Sequence, residues 1–391
     1  MDFDLTEEQR IVQRSVRQFM VNEIEPVAEQ IDRDDELPSG IWKKLGELGI
    51  LGVTVPEEYG GSGFDLLTGI LIIEQIARTC PGLALSYAAH ANLCVDNIRR
   101  NASEEQKRKY LPGLCVGDLV GCLALTEPNA GSDAVSIRTI AVPDGQDFLL
   151  NGSKMFITNA PIGDIFLTYA KTDPDRKARG VTAFIVEKGF PGMFLSEKLE
   201  KMGNRGSPTG EVVFEDCRVP AENVVGEVNT GINVMMSGLD VERVFVAGEA
   251  LGIAEGAFKL ALEYSKEREQ FREPICNFQL IKAKLADMYT EIEAARGLVY
   301  RASVIADKTD RGGRGTEVHK IAAAAILFAA ETATRVSNQA LQVYGGYGYM
   351  MEFPINRFYR DAKLYEIGAG TSEIRRLVIA DEIIQRGLGY V

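Results

Sequence analysis

An α+β architecture, with a small β unit between two helical ones, is what this sequence predicts, and three observations predict it. Apolar residues recur at helical spacing through the first third. Short β-branched or aromatic segments, divided by Gly, Pro, Asn and Asp, begin near residue 121. Long Ala/Leu/Ile-rich stretches return past Gly231. At 391 residues the chain exceeds the roughly 250 to 300 residues that one core usually holds. We therefore expect a helical domain over 1–120, a small β-barrel-like domain over 121–230 and a four-helix bundle over 231–391.

The opening helix is signalled by Thr6 and Gln9 at capping-box spacing, and by Ile11, Val12, Val16, Phe19, Met20 and Ile24, before Pro26 ends the run. Pro38 and Ser39 precede a short helix with Ile41, Trp42, Leu45 and Leu48, and 55–61 reads as a loop. Residues 64–115 return to helical spacing, including the apolar stretch 83–94. Strands are expected at 148–150, 165–169, 181–186 and 211–214, and long helices at 234–266, 279–307, 317–344 and 371–386.

Composition excludes several function classes. Hydrophobic residues are 46% and charged residues 25%, and no apolar run reaches the roughly 18 residues of a membrane span, so a soluble protein without membrane insertion is expected. The acidic start, Met1-Asp-Phe-Asp-Leu-Thr6, resembles neither a signal nor a transit segment, so a cytoplasmic location is expected. A net charge of −13 with scattered Lys and Arg argues against nucleic acid. The 6 cysteines form no C-x-x-C pair and there are only 2 histidines, so no metal site is expected. A Ser-His-Asp hydrolase lacks both the histidines and a G-x-S-x-G elbow.

Four segments have the texture of ligand-binding loops. Leu123-Ala-Leu-Thr-Glu-Pro-Asn-Ala-Gly-Ser-Asp133 puts small residues and hydroxyls after a short apolar strand, where backbone N–H groups and Thr126 can approach a planar polar ligand. Met155-Phe-Ile-Thr-Asn159 sets an aromatic two residues before a hydroxyl, Gln342-Val-Tyr-Gly-Gly346 closes a helix, and Tyr365-Glu-Ile-Gly-Ala-Gly-Thr-Ser-Glu373 opens one with free N–H groups. Taken singly, each is equally a turn, a strand end or a helix cap.

Taken together and in order, they resemble the acyl-CoA dehydrogenase family over nearly the whole chain. The resemblance also runs through Val55-Pro-Glu-Glu-Tyr-Gly-Gly61, Asn151-Gly-Ser-Lys154, Lys201-Met-Gly-Asn-Arg-Gly-Ser207, Arg268-Glu-Gln-Phe271, Phe278-Gln279 and Arg360-Asp361. Ser86-Tyr-Ala-Ala-His-Ala-Asn-Leu-Cys94 and Ser237-Gly-Leu-Asp-Val-Glu-Arg243 are similar to its isovaleryl-CoA dehydrogenase branch. The resemblance implies FAD as cofactor, an acyl-CoA substrate, electron-transferring flavoprotein as partner and a homotetramer. It implies that Leu123, Leu125, Thr126, Gly131 and Ser132 line the flavin with Phe156, Ile157 and Thr158. It further implies that Arg268 and Gln279 reach the FAD of a neighbouring subunit, with Gln342, Gly345, Gly346, Thr371, Ser372 and Glu373 serving the same dinucleotide. An Arg suits a diphosphate because its planar fork binds two oxygens.

Many members of the family carry the catalytic carboxylate immediately before the last Gly-Thr, where this chain has Ala369. The isovaleryl branch carries it in the helix opening the C-terminal bundle, and Glu242 occupies the matching place, so the resemblance implies Glu242 as the base. Read without the resemblance, Glu242 is an ordinary solvated helix glutamate; the apolar neighbours 235–239 and the empty alternative position favour the catalytic reading. Glu366 and Glu373 are the competitors. Desolvation is expected to raise the Glu242 carboxyl toward working pH. The N–H of Ala369 is implied at the thioester oxygen, with Gly370 beside it. Ser132, Asp240 and Arg243 are implied at the pantetheine arm and Arg179 near the CoA, each with a surface ion pair as the alternative.

The small pair Gly368 and Ala369 leaves room for a branched acyl chain, and a wall expected from Leu83, Phe245 and Val246 offers a second carboxylate no cation. Four departures from the family pattern stand out: Phe156 for a common Trp, Arg272 for Gly, Asn233 for Tyr, and Phe245 for a smaller aliphatic. The expected activity is therefore α,β-dehydrogenation of a short branched acyl-CoA. Another short or cyclic acyl group, an oxygen-reoxidised oxidase on the same fold, and a binding protein that lost catalysis are the alternatives.

Overall fold

The computed structural model of the chain describes residues 4–309 and 312–388; the first three residues of the acidic opening lie outside them. The capping box forms as expected: Gln9 N donates to Thr6 Oγ1 at 3.1 Å and Thr6 N donates to Gln9 Oε1 at 3.0 Å, starting α1 (Glu7–Phe19). Pro26 does not end the helical run. The chain passes through a π-helical segment (Met20–Ile24) and a 3-10 turn (Glu25–Val27) into α2 (Ala28–Asp34). Pro26 sits in the first turn of a new helical segment, where its missing N–H would have no helical partner anyway. Then follow α3 (Ile41–Glu47), α4 (Leu66–Ala77), α5 (Pro81–Ala88) with its π-helical continuation (Ala89–Asp96), α6 (Asn97–Asn101) and α7 (Glu104–Cys115).

The middle of the chain supplies β1 (Gly121–Ala124), β2 (Ile140–Asp144), β3 (Asp147–Thr158), β4 (Ile165–Lys171), β5 (Val181–Glu187), β6 (Met193–Leu195), β7 (Thr209–Pro220) and β8 (Val224–Val225). They form one mixed sheet in the order β6-β7-β3-β2-β4-β5-β8, with β1 parallel to β4. Leu150, Phe166, Phe184, Val186, Val212 and Phe214 fill one face. Ile165, Leu167, Tyr169, Ala183 and Ile185 fill the other, against Val95, Leu111, Leu114 and Met235 of the helices. Strands β4 and β5 are thus buried on both faces, which is why they read as continuous apolar runs. Each such buried side chain contributes about 1.5–3 kcal/mol.

Strand β3 runs past Leu150 to Thr158, beyond the 148–150 expected from the sequence. The extension includes a bulge: the register shifts between Leu150 and Gly152, and Gly152 adopts φ +145 so close to Thr139 that a Cβ would lie 2.6 Å from its Oγ1.

The last third is helical: α8 (Gly231–Glu267), a hairpin of β9 (Glu269–Gln270) and β10 (Glu273–Pro274), then α9 (Gln279–Asp307), α10 (Glu317–Tyr344), α11 (Ile355–Ala362) and α12 (Ser372–Arg386). The limits of α9 and α10 are those expected from periodicity. The largest core joins α4 and α5 to α8, α9 and α10, so the N-terminal helices pack on the C-terminal ones. Gly252 permits this approach, since a Cβ there would lie 2.4 Å from the Glu74 carbonyl. The hairpin turn places Phe271 at φ 52 and Arg272 at φ 73, a geometry that glycine suits best. Among the described residues no helix is long and apolar enough to cross a membrane.

Candidate active site

The loop after β1 is held by a buried ion pair. Lys154 on β3 is fully buried and donates to Glu127 Oε1 at 2.7 Å and to the Leu125 carbonyl at 3.2 Å. Glu127 also accepts from Thr139 N at 3.0 Å and from Arg138 N at 2.5 Å, and Met155 N donates to the Thr126 carbonyl at 2.9 Å. Burial pushes Lys154 down to about 8. Burial alone would raise Glu127, but the Lys154 charge and these hydrogen bonds hold its carboxyl below the usual range, so the pair is ionised at neutral pH. The pair fixes the Leu125–Thr126 backbone beside Met155 and Phe156.

Phe156 stands outward from this anchored strand. It lies at a register shift in β3, at φ 60, and the residue is 67% exposed. Thr158 is half-buried, whereas Ile157 turns its side chain into the sheet core, leaving only its backbone for a ligand. Gly131 and Ser132 are exposed beyond the loop.

Glu242 faces a narrow cavity lined by Leu93, Asn97, Leu123, Leu125, Tyr169, Met235, Gly238 and Leu239. Its side chain is buried, and its Oε2 has no hydrogen-bond partner among the described residues. Burial pushes the carboxyl up to about 7, with Arg243 and Arg375 pulling the other way. An unpartnered carboxylate is costly to bury and marks a functional site more often than a structural one. Gly238 brings α8 close to Asn97, where a Cβ would lie 2.3 Å from its Nδ2. A larger cavity, about 280 Å³, lies elsewhere, bounded by Arg17, Arg78, Lys259 and Arg357; none of the sequence-derived candidates lines it.

Four residues expected at the substrate, Leu83, Phe245, Val246 and Asp240, are not in the lining of the Glu242 cavity. The cavity wall is not Leu83, Phe245 and Val246: Leu83 and Phe245 are buried in the helical core, the Phe245 ring lying 6.1 Å from that of Tyr87. Nor is Asp240 on the cavity. Its Oδ1 pairs with Arg243 at 2.9 Å and His319 Nδ1 at 2.8 Å, and its Oδ2 accepts from Gly313 N at 2.6 Å, so both oxygens are used inside the protein. The residues that do line the cavity include no Lys or Arg. Asn233 is exposed and outside it.

The competitors of Glu242 are differently placed. Glu366 pairs with Lys363 at 2.6 Å, and its carboxyl is held low by that partner despite partial burial. Glu373 is exposed in the first turn of α12 and is held low chiefly by a backbone hydrogen bond. Before α12 the chain makes a tight turn, with Ala369 at φ 53 and Gly370 at φ 88, and Thr371 Oγ1 then caps the helix by accepting from Ile374 N at 3.3 Å. Ser372 Oγ is buried without a partner among the described residues.

The remaining candidates gather at the opposite end of α8. Arg268 follows its last residue, with its guanidinium 5.3 Å from the centroid of the Tyr347 ring. Gln279 is exposed at the start of α9, and Gln342, Gly345 and Gly346 are exposed at the end of α10. Along an unbroken helix, Glu242 and Arg268 stand about 39 Å apart. Arg179 is exposed in the loop between β4 and β5.

Sequence reasoning missed Lys154, Glu127, Leu93, Asn97, Tyr169 and Arg375. Leu93 and Asn97 share a helical face at i, i+4, which was a readable signal once Glu242 was singled out. Nothing local marks Arg375, one of two adjacent arginines, as the buried one.

Three sequence profiles cover the chain: the N-terminal domain of acyl-CoA dehydrogenase over residues 6–118, the middle domain over 122–217 and the C-terminal domain over 229–384. The mitochondrial isovaleryl-CoA dehydrogenase of Pongo abelii is 48% identical over 379 residues, 96% of this chain and 88% of that protein. The structure is similar to butyryl-CoA dehydrogenase from Megasphaera elsdenii (TM-score 0.94, 41% identity, 98% of this chain and 100% of that one). It is also similar to a glutaryl-coenzyme A dehydrogenase solved with glutaryl-CoA (TM-score 0.94, 36% identity, 99% and 98%).

Proposed function

The chain belongs to the acyl-CoA dehydrogenase family, and from that premise we propose that it desaturates the α,β bond of a short branched, isovaleryl-like acyl-CoA with Glu242 as the base. It is an oxidoreductase acting on the CH–CH group of an acyl-CoA, and FAD is its cofactor. The residues present fit a flavin: an exposed aromatic ring at Phe156, a loop anchored beside it by Lys154 and Glu127, and Leu123 and Leu125 forming a wall of the cavity that holds Glu242. Bound FAD supplies the acceptor for the hydride that leaves Cβ.

The observation that carries the reading is the Glu242 carboxylate, buried in an apolar cavity with one oxygen unpartnered. A base in that setting is hungry for a proton, and the weakly acidic α-proton of a thioester needs such a base. In this proposal Glu242 takes the α-proton while the Ala369 N–H, presented by the tight turn before α12, stabilises the negative charge growing on the thioester oxygen. Leu93, Met235 and Leu239 hold the acyl chain and exclude water. Ser132, Arg179, Arg243 and Gly370 serve the CoA arm, and Asp240 orients Arg243 rather than touching substrate. The small Gly368–Ala369 pair supports a branched chain, and a cavity without Lys or Arg supports a monocarboxylic one.

Electron-transferring flavoprotein is the proposed acceptor and a homotetramer the proposed assembly. The 39 Å span of α8 supports the latter, because the far group of candidates sits beyond reach of the Glu242 cavity in its own chain. Exposed Phe271, Leu280, Tyr289 and Tyr349 at and near that end give a second copy apolar surface to cover.

The test is to purify the yellow protein and screen acyl-CoAs by anaerobic bleaching of its flavin. Isovaleryl-CoA should bleach it faster than butyryl-CoA and far faster than glutaryl-CoA, and Glu242→Gln should slow the response by a factor of about 100 or more. Bleaching at the wild-type rate in the Gln variant removes Glu242 from the role; rapid peroxide formation in air would instead indicate an oxidase.

A further inference from the structure

A directed chain of hydrogen bonds ends at the Glu242 cavity. Asn97 and Asn101 stand i, i+4 on α6 and so share a face. Asn101 Nδ2 donates to the Asn97 carbonyl at 3.1 Å and to Asn97 Oδ1 at 2.8 Å. A backbone carbonyl only accepts, so the Asn101 atom that meets it is the amide nitrogen, and the Asn97 atom that meets that nitrogen is the amide oxygen. Both amides are fixed in this way. At the outer end the Ser237 hydroxyl of α8 donates to Asn101 Oδ1 at 3.3 Å, and at the inner end Asn97 Nδ2 donates to the Tyr169 hydroxyl of β4 at 3.5 Å.

An NH2 group cannot accept, so the Tyr169 hydroxyl receives a proton from Asn97 and must direct its own elsewhere. Tyr169 is 1% exposed, and no described residue accepts that proton. Tyr169, Asn97 and Glu242 line the same narrow cavity, and Glu242 Oε2 has no donor among the described residues. A free donor and a free acceptor thus border one mostly apolar space, where leaving either unpaired is costly. Burial pushes the Tyr169 phenol up, which keeps its proton in place. Other titratable groups surround the carboxylate. On α8, Arg243 pairs with Asp240, which His319 of α10 also engages. Arg375 of α12 gives its Nη donors to the Tyr365 and Gly368 carbonyls. Cys94, in the π-helical segment near Tyr169, is pushed up by burial and stays a thiol.

We propose that Tyr169 is a positioning residue for the base: Asn97 turns its hydroxyl so that the proton is donated across the cavity to the Glu242 carboxylate. Its part in catalysis rests on Glu242 being the base. The consequence is that Tyr169 favours the ionised carboxylate, which the reaction consumes, against the burial that opposes it.

The experiment compares FAD-loaded wild type, Tyr169→Phe, Glu242→Gln and the Tyr169→Phe/Glu242→Gln double variant. With kcat/KM read from pH 5.5 to 9.5, isovaleryl-CoA as substrate and an artificial electron acceptor, Tyr169→Phe should move the acid limb up by about one pH unit, the lower end of what a hydrogen bond to a charged group is worth. Activity at pH 6 then falls about ninefold, while activity at pH 9.5 stays within about threefold of wild type. Scanning calorimetry without substrate reads the same contact independently of turnover. A donor to the ionised carboxylate stabilises the folded chain only where Glu242 has lost its proton, so the folding constant of Tyr169→Phe should drop about eightfold further at pH 8.5 than at pH 5. In the Glu242→Gln background that pH dependence should vanish. A calorimetric difference that does not change with pH in Tyr169→Phe overturns the contact, and an acid limb that stays in place with flavin content intact overturns its part in the base. If Tyr169→Phe fails to fold, a ring-fluorinated tyrosine at the same position decides, because it keeps the shape and donates more strongly. A limb moved down by about half a unit supports the proposal, and a profile superimposable on wild type overturns it. Turnover at the wild-type rate in Glu242→Gln refutes the base assignment itself, and the calorimetric comparison then still reports whether Tyr169 serves that carboxylate.

Discussion

Replacing Glu242 by Gln removes a carboxyl that burial holds at about 7 and leaves a side chain of nearly the same shape. In the unfolded chain the same group titrates at its ordinary value of 4.5. The folded protein therefore binds this proton more tightly than the unfolded chain does. The resulting contribution to stability is fully present below about 4.5 and is lost as the pH rises through about 7. Above that, the wild type bears the whole cost of an ionised buried carboxylate. The difference of about 2.5 units, at about 1.36 kcal/mol each, comes to about 3 kcal/mol. Glutamine does not titrate and bears none of it. With an unfolding entropy of about 2.1 cal/mol/K per residue, a chain of this length should gain about 4 °C in Tm at pH 8.5. At pH 5 the gap should shrink below about 1 kcal/mol. Scanning calorimetry of the FAD-loaded proteins without substrate measures both values. Turnover should fall by a factor of about 100 to 10,000, the usual loss for a missing general base, so stability and activity move in opposite directions. A Tm difference that is the same at pH 5 and 8.5, or a variant less stable than wild type at pH 8.5, would refute the reasoning.

Other outcomes follow from the same geometry. Moving the base in Glu242→Gly/Ala369→Glu should restore flavin bleaching at least tenfold over Glu242→Gly alone, because position 369 already tolerates a side chain at φ 53; no gain would mean that the turn before α12 does not face the substrate. Lys154→Met leaves Glu127 buried without its cation and should cost about 3–5 kcal/mol by thermal or denaturant unfolding, with loss of retained FAD. Adding Glu127→Gln to it should recover much of that stability, and failure to do so would show that the lysine acts through packing instead. Arg272→Gly relieves a residue held at φ 73 and should stabilise the chain by about 1 kcal/mol without altering kcat.

The fold was largely legible because most of it is periodic. The limits of α9 and α10 and the apolar runs of β4 and β5 follow from spacing alone. Where the reading slipped, a local signal had two meanings. Pro26 marks a helix end or a helix start, and only tertiary context chooses the start. The strand expected to end at Leu150 continues through a bulge at Gly152, which lies against Thr139. At the site, Glu242 could be singled out, and its burial in a cavity matches the apolar character of its neighbours. The lining of the Glu242 cavity could not be read, because Leu93, Asn97 and Tyr169 come from elements that only the fold brings together. Phe245, three residues past Glu242, points into the core instead. Arg375 was invisible for the same reason: its partners are backbone carbonyls, which leave no mark in a sequence.

The unbroken course of α8 makes its length a phase constraint. One residue inserted between Glu242 and Arg268 would push the far end out by about 1.5 Å and rotate it by about 100°, so the two side chains would no longer point as they do. Two full turns, about seven residues, would nearly restore the angle but would lengthen the rod by about 10 Å. Such a helix can exchange side chains freely along its outer surface, yet it cannot gain or lose even a single residue without putting its two ends out of step.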